Sequence, residues 1–425
     1  MKQKLLLQKK SLLIKIMTKS FIKVLCTFIL FTLSLSAYSA WQWTKVKSLG
    51  NGKRFESTSF SINGKGYVTC GVDTNDNCYN DLWEYDPVFN FWTQKANLPA
   101  SYRRAAFGFE LNGKGYMGGG IDDAISSVGN IFNQFWMYDP SLNTWTSKAN
   151  LPISVFRAAG ISCNGKGYMI GGADDWSLYN NVYEYNPLTD NWTAKANFPG
   201  HPNSSGGREA GTGTTVNNKI YFGLGKDDSY FQNDWWEFNP VTNAWVRKMD
   251  FPVSGRTGAW SFAINNKAVV GMGSDGSFAS DTWWYDAVAN TWNYTCSFSG
   301  DGRRSVAAFA INNIGYMGTG KANGGTKQDF YKLDSEVGIQ ELTNNQSLFS
   351  VFPNPISTSE FTISVEVELL NASILIFNAE GKLLKTEPIN HKEHKINRDN
   401  FSAGLYFISI KNKDQLLSTK KIILL

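Results

Sequence analysis

The chain has 425 residues, 42% apolar and 18% charged, enough length for two domains and enough apolar content for real cores. Its formal charge of +5 comes from residues 1–40, which hold seven lysines and no acid; the remainder carries 34 basic against 36 acidic residues. That near-neutral balance excludes a global electrostatic case for nucleic-acid binding.

In chain order, Lys19 and Lys23 precede an apolar run over 24–35 and then Ala37-Tyr38-Ser39-Ala40. A basic n-region, an apolar stretch short for a bilayer and a small-residue cleavage site predict a signal peptide over 1–40, cut after Ser39, with Met17 as an alternative start. Export follows, with no transmembrane segment left after cleavage. In an exported chain Cys70 and Cys78 are close enough in sequence to bridge one loop, whereas Cys163 and Cys296 read as buried thiols.

The asparagines that open NGK-like turns are Asn63, Asn112, Asn164, Asn217, Asn265 and Asn312, spaced by 49, 52, 53, 48 and 47 residues. Third-strand ends recur in step, as LWEYDP (82–87), FWMYDP (135–140), VYEYNP (182–187), WWEFNP (235–240) and TWWYDA (282–287), with a worn FYKLD at 330–334. A period near fifty with four strand signals per unit predicts a propeller. Trp92, Trp145, Trp192, Trp245 and Trp292 follow the first five ends; the sixth unit has none. Trp43 precedes Arg54 by 11 residues, as Trp92 precedes Arg103, so an N-terminal strand is expected to supply the missing outer strand. The expected fold is all-β: a six-bladed propeller over 41–334, closed by that strand.

The glycine pairs (Gly119-Gly120, Gly171-Gly172), the W-x-Y-D-P turn and the later Trp resemble kelch repeats. The resemblance implies the fold over 41–334 and leaves function open, since propellers bind, scaffold and catalyse alike.

In an antiparallel blade the loops leaving the second and fourth strands share one face. After the fourth strand come Arg54, Arg104 with Arg103, Arg157, Arg208, Arg256, and Arg304 with Arg303; after the second come Asp73, Asp122, Asp174, Asp227 and Asp275, replaced in the sixth unit by Gly320-Lys321-Ala322. Two readings stand: the Arg and Asp residues pair and hold blades together, or the arginines form a basic ring for carboxylate or sulfate groups. The missing sixth Asp makes Arg303 and Arg304 the expected ligand contacts. Trp192 to Arg208 is 16 residues rather than 11, and that insert carries His201 and leads to Glu209, which makes these two weak catalytic candidates. The long loop from Asp122 to Asn133 is expected at the rim.

Asp73, Asn75 and Asn77 supply the first oxygens of a calcium loop, but Cys78 stands where glycine is required and no twelfth-position glutamate follows. One histidine in the propeller argues against a copper oxidase of the galactose oxidase kind. HExxH, GxSxG and P-loop motifs are absent, and no cofactor is expected.

After a polar linker at 335–346, alternating strands over 347–425 with turns at Ala379-Glu380-Gly381 and Ser402-Ala403-Gly404 read as a small, Ig-like β-sandwich. VFPNP, ILIFNAEGKLL, FSAGLYFISI and the KKIILL end resemble the C-terminal sorting domain of type IX secretion cargo in Bacteroidetes. The resemblance implies the type IX machinery as a partner and a secreted or surface-anchored product. The leading expectation is a binding protein for an acidic glycan or peptide. The alternatives are an enzyme resembling sialate mutarotases, with Arg208, Glu209 and His201 near the channel, and a surface adhesin or scaffold.

Overall fold

The computed structural model describes residues 41–122, 129–200, 206–334, 349–365, 372–378, 382–398, 401–412 and 415–425. The signal peptide, the linker at 335–346 and His201 lie outside the described residues. The chain divides into two compact units, parted between Gly338 and Ile339. No described helix is long and apolar enough to cross a membrane.

The first unit contains six antiparallel four-stranded sheets. The first comprises Thr58–Ile62, Lys65–Thr69, Leu82–Asp86 and Phe91–Lys95, and the next four repeat this order. In the sixth, Ala307–Ile311, Ile314–Gly318 and Phe330–Asp334 are completed by Gln42–Val46, which pairs antiparallel to Phe330–Asp334.

Each repeated residue has a local reason. Asn63 and Gly64 both have positive φ, as a two-residue hairpin turn between right-twisted strands requires. The turn after the third strand presents Asn90 with positive φ, and its Oδ1 accepts the N–H of Lys47 from the neighbouring sheet's outer edge. Asn143, Asp190, Asn243 and Asn290 repeat that clasp on Ala96, Ala149, Ala196 and Met249. The lone tryptophans donate their indole N–H to the carbonyls of the same five residues, for example Trp92 to Lys47 at 2.9 Å and Trp145 to Ala96 at 2.9 Å. The signature residues therefore join sheets as well as shaping turns.

Packing between sheets shows matched volumes. A Cβ on Gly66, Gly115, Gly167 or Gly315 would lie within 2.2 Å of Phe309, Phe60, Phe109 or Phe262 of the preceding sheet. Where the preceding sheet carries Ile161 or Thr214 instead of Phe, the glycine position is filled by Ile220 or Ala268. Gly115→Ile is therefore expected to lower stability by about 1–3 kcal/mol through overpacking, read as a lower urea midpoint. An unchanged midpoint would show that Phe60 yields.

The second unit has two antiparallel sheets. One holds Phe349–Phe352, Glu360–Val365 and Glu393–Asn397; the other holds Leu383–Pro388, Ala372–Asn378, Gly404–Asn412 and Gln415–Leu424. Phe349, Phe361, Ile363, Ile374, Ile396, Ile408 and Ile422 meet in one buried core shared by both.

Candidate functional site

The entry to each inner strand is built from three consecutive residues with separate roles. The first is Arg54, Arg103, Arg208, Arg256 or Arg303, all at most 4% exposed. Each donates to the carbonyl 16 residues ahead, that of Cys70, Gly119, Leu224, Met272 or Thr319, at 2.6–3.2 Å. Four of them grip a carboxylate with both guanidinium arms: Arg54 on Asp81, Arg208 on Asp234, Arg256 on Asp281 and Arg303 on Asp329. Arg103 uses Gln134 Oε1 at 2.6 Å. Each also stacks on an aromatic ring, such as Arg54 over Tyr79 at 3.9 Å.

These five arginines are thus enclosed in the fold and do not offer a guanidinium to a ligand. Arg303 in particular is sealed by Asp329, which corrects the expectation that the sixth unit leaves it uncompensated. The partners are also not the Gly-x-Asp residues. Those close their own loops: Asp73 accepts the N–H groups of Asn75 and Asn77 and the hydroxyl of Tyr79. Asn77 turns its Nδ2 donor toward Asp73 at 3.1 Å, an arrangement for a turn rather than for calcium. No group of three or more metal-ligating side chains occurs among the described residues. No disulfide joins Cys70 and Cys78; Cys70 is fully buried and burial pushes its thiol up to about 11.

Arg157 does not belong with those five. Val155 is its sheet's counterpart: its carbonyl accepts the N–H of Gly120 as that of Arg103 accepts Gly71 and that of Arg208 accepts Gly172. Asn181 correspondingly replaces the aspartate. The second residue of each entry pairs with the loop after the second strand: Phe55 with Val72, Arg104 with Ile121, Phe156 with Ala173, Glu209 with Lys226, Thr257 with Ser274 and Arg304 with Lys321.

The third residues, Glu56, Ala105, Arg157, Ala210, Gly258 and Ser305, all have positive φ. Ala105 donates its N–H to Glu56, Arg157 to Ala105, Ala210 to Arg157, Gly258 to Ala210, Ser305 to Gly258, and Glu56 to Ser305, at 2.8–3.1 Å. The series of six bonds returns to its start. These residues line a cavity of about 160 Å³ that continues into a second of about 180 Å³, walled by small residues such as Ala106, Ala158, Gly211 and Ala259.

At this neck the side chains of Glu56, Arg104, Arg157 and Glu209 form one ion-paired chain. Glu56 Oε2 accepts from Arg104 and Oε1 from Arg157 Nε at 2.8 Å; Arg157 Nη1 donates to Glu209 Oε2 at 3.0 Å. Among the three entry residues and their bridge partners, Arg104, Arg157, Lys226, Arg304 and Lys321 outnumber Glu56 and Glu209, once the sealed arginines are set aside. Arg304 is half-buried and has no carboxylate partner among the described residues.

Burial opposes charge on Glu56, but attraction to Arg157 and Arg104 and the hydrogen bonds from both hold its carboxyl below the usual glutamate range. Arg157 is raised by Glu56, against burial, with Glu209 adding to the rise. A carboxyl with a lowered folded-state pKa stabilises the fold above its unfolded value and loses that stabilisation as pH falls through the folded one. Below about pH 4.5, the wild type should therefore lose stability that Glu56→Gln lacks already. Thermal melts of the two proteins should converge as pH falls; parallel curves would contradict the pairing.

Glu56 was missed by the sequence reading, although it is the one acid among the third entry residues. A count back of 17 from the glycine that follows each second strand (Gly71, Gly120, Gly225, Gly273 and Gly320) reaches each sealed arginine, and from Gly172 it reaches Val155, which exposes both Glu56 and the displacement of Arg157.

Residues 350–425 match the secretion system C-terminal sorting domain, which marks the chain for type IX export to the cell surface or beyond. A 73-residue stretch is 32% identical to beta-agarase A of Zobellia galactanivorans, covering 17% of this chain and 13% of that protein. The chain thus spans about an eighth of that relative's length. A solved structure titled "Structure of YjhT" is similar to 69% of this chain and 98% of its own, with 16% identity and a TM-score of 0.59. That likeness supports a β-propeller-like, all-β fold and nothing about activity.

Proposed function

We propose that the mature chain works at the cell surface or outside it as a closed, six-bladed propeller of kelch type that binds an acidic glycan or peptide at the basic mouth of its channel. The ring of six neck hydrogen bonds supports closure. The observation that carries the ligand reading is Arg304, a half-buried arginine with no carboxylate partner among the described residues, directly before Ser305 of the cavity wall. A carboxylate or sulfate completes such a site bidentately. Arg157 contributes from the neck, where its Nε and Nη1 are engaged and its side chain is 30% exposed.

A mutarotase would use Glu209 to move a proton. Glu209 instead accepts the guanidinium of Arg157 at 3.0 Å, and Arg208 is sealed on Asp234, an arrangement that favours holding charge over shuttling it. The test is titration of the full chain with acidic and neutral glycans and acidic peptides, beside proton NMR of sugar anomer exchange. Saturable binding of an acidic probe weakened by Arg304→Ala supports the proposal. Anomer exchange abolished by Glu209→Gln would replace it with the enzyme reading.

A further inference from the structure

We propose that the occupant of the mouth is a polysaccharide chain, with Trp176 and Tyr230 stacking on sugar rings beside the one whose acid group the mouth holds. This rests on the ligand reading above and chooses glycan over peptide.

Trp176 is 92% exposed and Tyr230 74% exposed, whereas the repeat tryptophans pack between sheets. Aromatic rings of this size usually bury 150–250 Å², so two left in solvent at neighbouring loops point to a partner surface. Both are held in place. Asp174 Oδ1 accepts the N–H of Trp176 at 2.8 Å and of Ser177 at 2.6 Å, and its Oδ2 the hydroxyl of Tyr179 at 2.5 Å. Asp227, 1% exposed, accepts the N–H of Ser229 at 3.0 Å and of Tyr230 at 2.8 Å, and Gln232 Nε2 at 2.7 Å. Braced turns of this kind leave only the side chains to be ordered when a ligand arrives, with no loop to fix.

Their placement ties them to the neck. The loop of Trp176 leaves from Ala173, which pairs with Phe156 beside Arg157; that of Tyr230 leaves from Lys226, which pairs with Glu209. Arg157 and Glu209 are bonded to each other, so the two loops rise from either side of one ion pair. Trp176 and Tyr230 sit in tight turns that fold back at once, closed by the pairings of Ala173 with Leu178 and of Lys226 with Phe231, so each ring stays close to its own neck pairing. Two rings on adjacent sheets offer two stacking platforms beside the mouth, more than a single sugar fills and a number suited to an oligosaccharide.

The chemistry selects sugar. A pyranose face of C–H bonds carries partial positive charge and meets the negative face of an indole or phenol ring. Asp175 and Ser177 flank Trp176, and Asp228 and Ser229 precede Tyr230. They accept and donate to hydroxyls, and the two aspartates favour uncharged sugars at the rings while the acid group sits at the mouth.

The test titrates the full chain with hyaluronan and κ-carrageenan tetrasaccharides, in which charged and neutral sugars alternate, with glucuronate and galactose sulfate as single sugars, and with poly-L-glutamate. At least one tetrasaccharide should bind at least ten times tighter than its single sugar. Trp176→Ala and Tyr230→Ala should each weaken the tetrasaccharide about 2- to 12-fold while leaving the single sugar and the melting temperature unchanged. Tetrasaccharide affinity insensitive to both substitutions but reduced by Arg304→Ala overturns the stacking and leaves the ligand reading standing. Binding of poly-L-glutamate alone overturns the choice of glycan. Binding of no acidic probe overturns both.

Discussion

Arg208→Val is expected to lower the stability of the first unit by about 3–5 kcal/mol, because it leaves Asp234 as an uncompensated charge in a closed site. Arg208 is 0% exposed and Asp234 1% exposed, with bonds of 2.6 and 3.0 Å between them. Asp234→Asn should cost a similar amount by orphaning the guanidinium. The double variant should cost less than the two single losses added together, because the third sheet already carries Val155 and Asn181 at the corresponding positions. Urea denaturation followed by tryptophan fluorescence gives the cycle, with an expected coupling of about 1–3 kcal/mol. Additive losses would mean that each residue is held by its other contacts, such as the carbonyl of Leu224, rather than by its partner.

Arg304→Ala is expected to weaken binding of an acidic ligand about 10- to 150-fold, the loss of one charge-assisted contact. Its melting temperature should stay near that of the wild type, since no ion pair among the described residues is broken. Arg157→Gly should weaken binding comparably with a different signature. It removes the partner shared by Glu56 and Glu209, bringing two carboxylates to the neck without their bridge. The backbone there tolerates the change, because Arg157 has φ of 53° and the fifth sheet already uses Gly258 at this position. Arg157→Gly therefore lowers both affinity and melting temperature, and Arg304→Ala affinity alone.

The four-stranded repeat was legible because its signals are local. Asn-Gly turns, Asp-Pro ends and following tryptophans report backbone geometry and nearest-neighbour clasps, and Trp43 carried the same spacing to the N-terminal strand. The second unit was legible for the same reason, from alternating apolar residues between turns. The site was only half legible. Arg54, Arg103, Arg208, Arg256 and Arg303 look in sequence like an exposed ring, but their partners, four aspartates and Gln134, lie 25–31 residues away, beside the start of the third strand. Distance in sequence hid the pairing that encloses them. Arg157 is misplaced in sequence because it is the arginine nearest the expected position, whereas the hydrogen bonds of Val155 define the register. Glu56 was missed because a lone acid in a loop has no periodicity; its role exists only once the neck brings it against Arg104 and Arg157. Trp176 and Tyr230 do not stand out in sequence, since exposure is not written in a chain already rich in aromatics.

The central claim is that the neck holds a charge rather than moving a proton. Calorimetric titration of the full chain, wild type against Arg304→Ala, with acidic tetrasaccharides at low and high salt tests it most directly. The account predicts saturable binding that weakens with salt and falls about 10- to 150-fold in the variant. Affinity equal in the two proteins, or equal for neutral and acidic sugars, would contradict it.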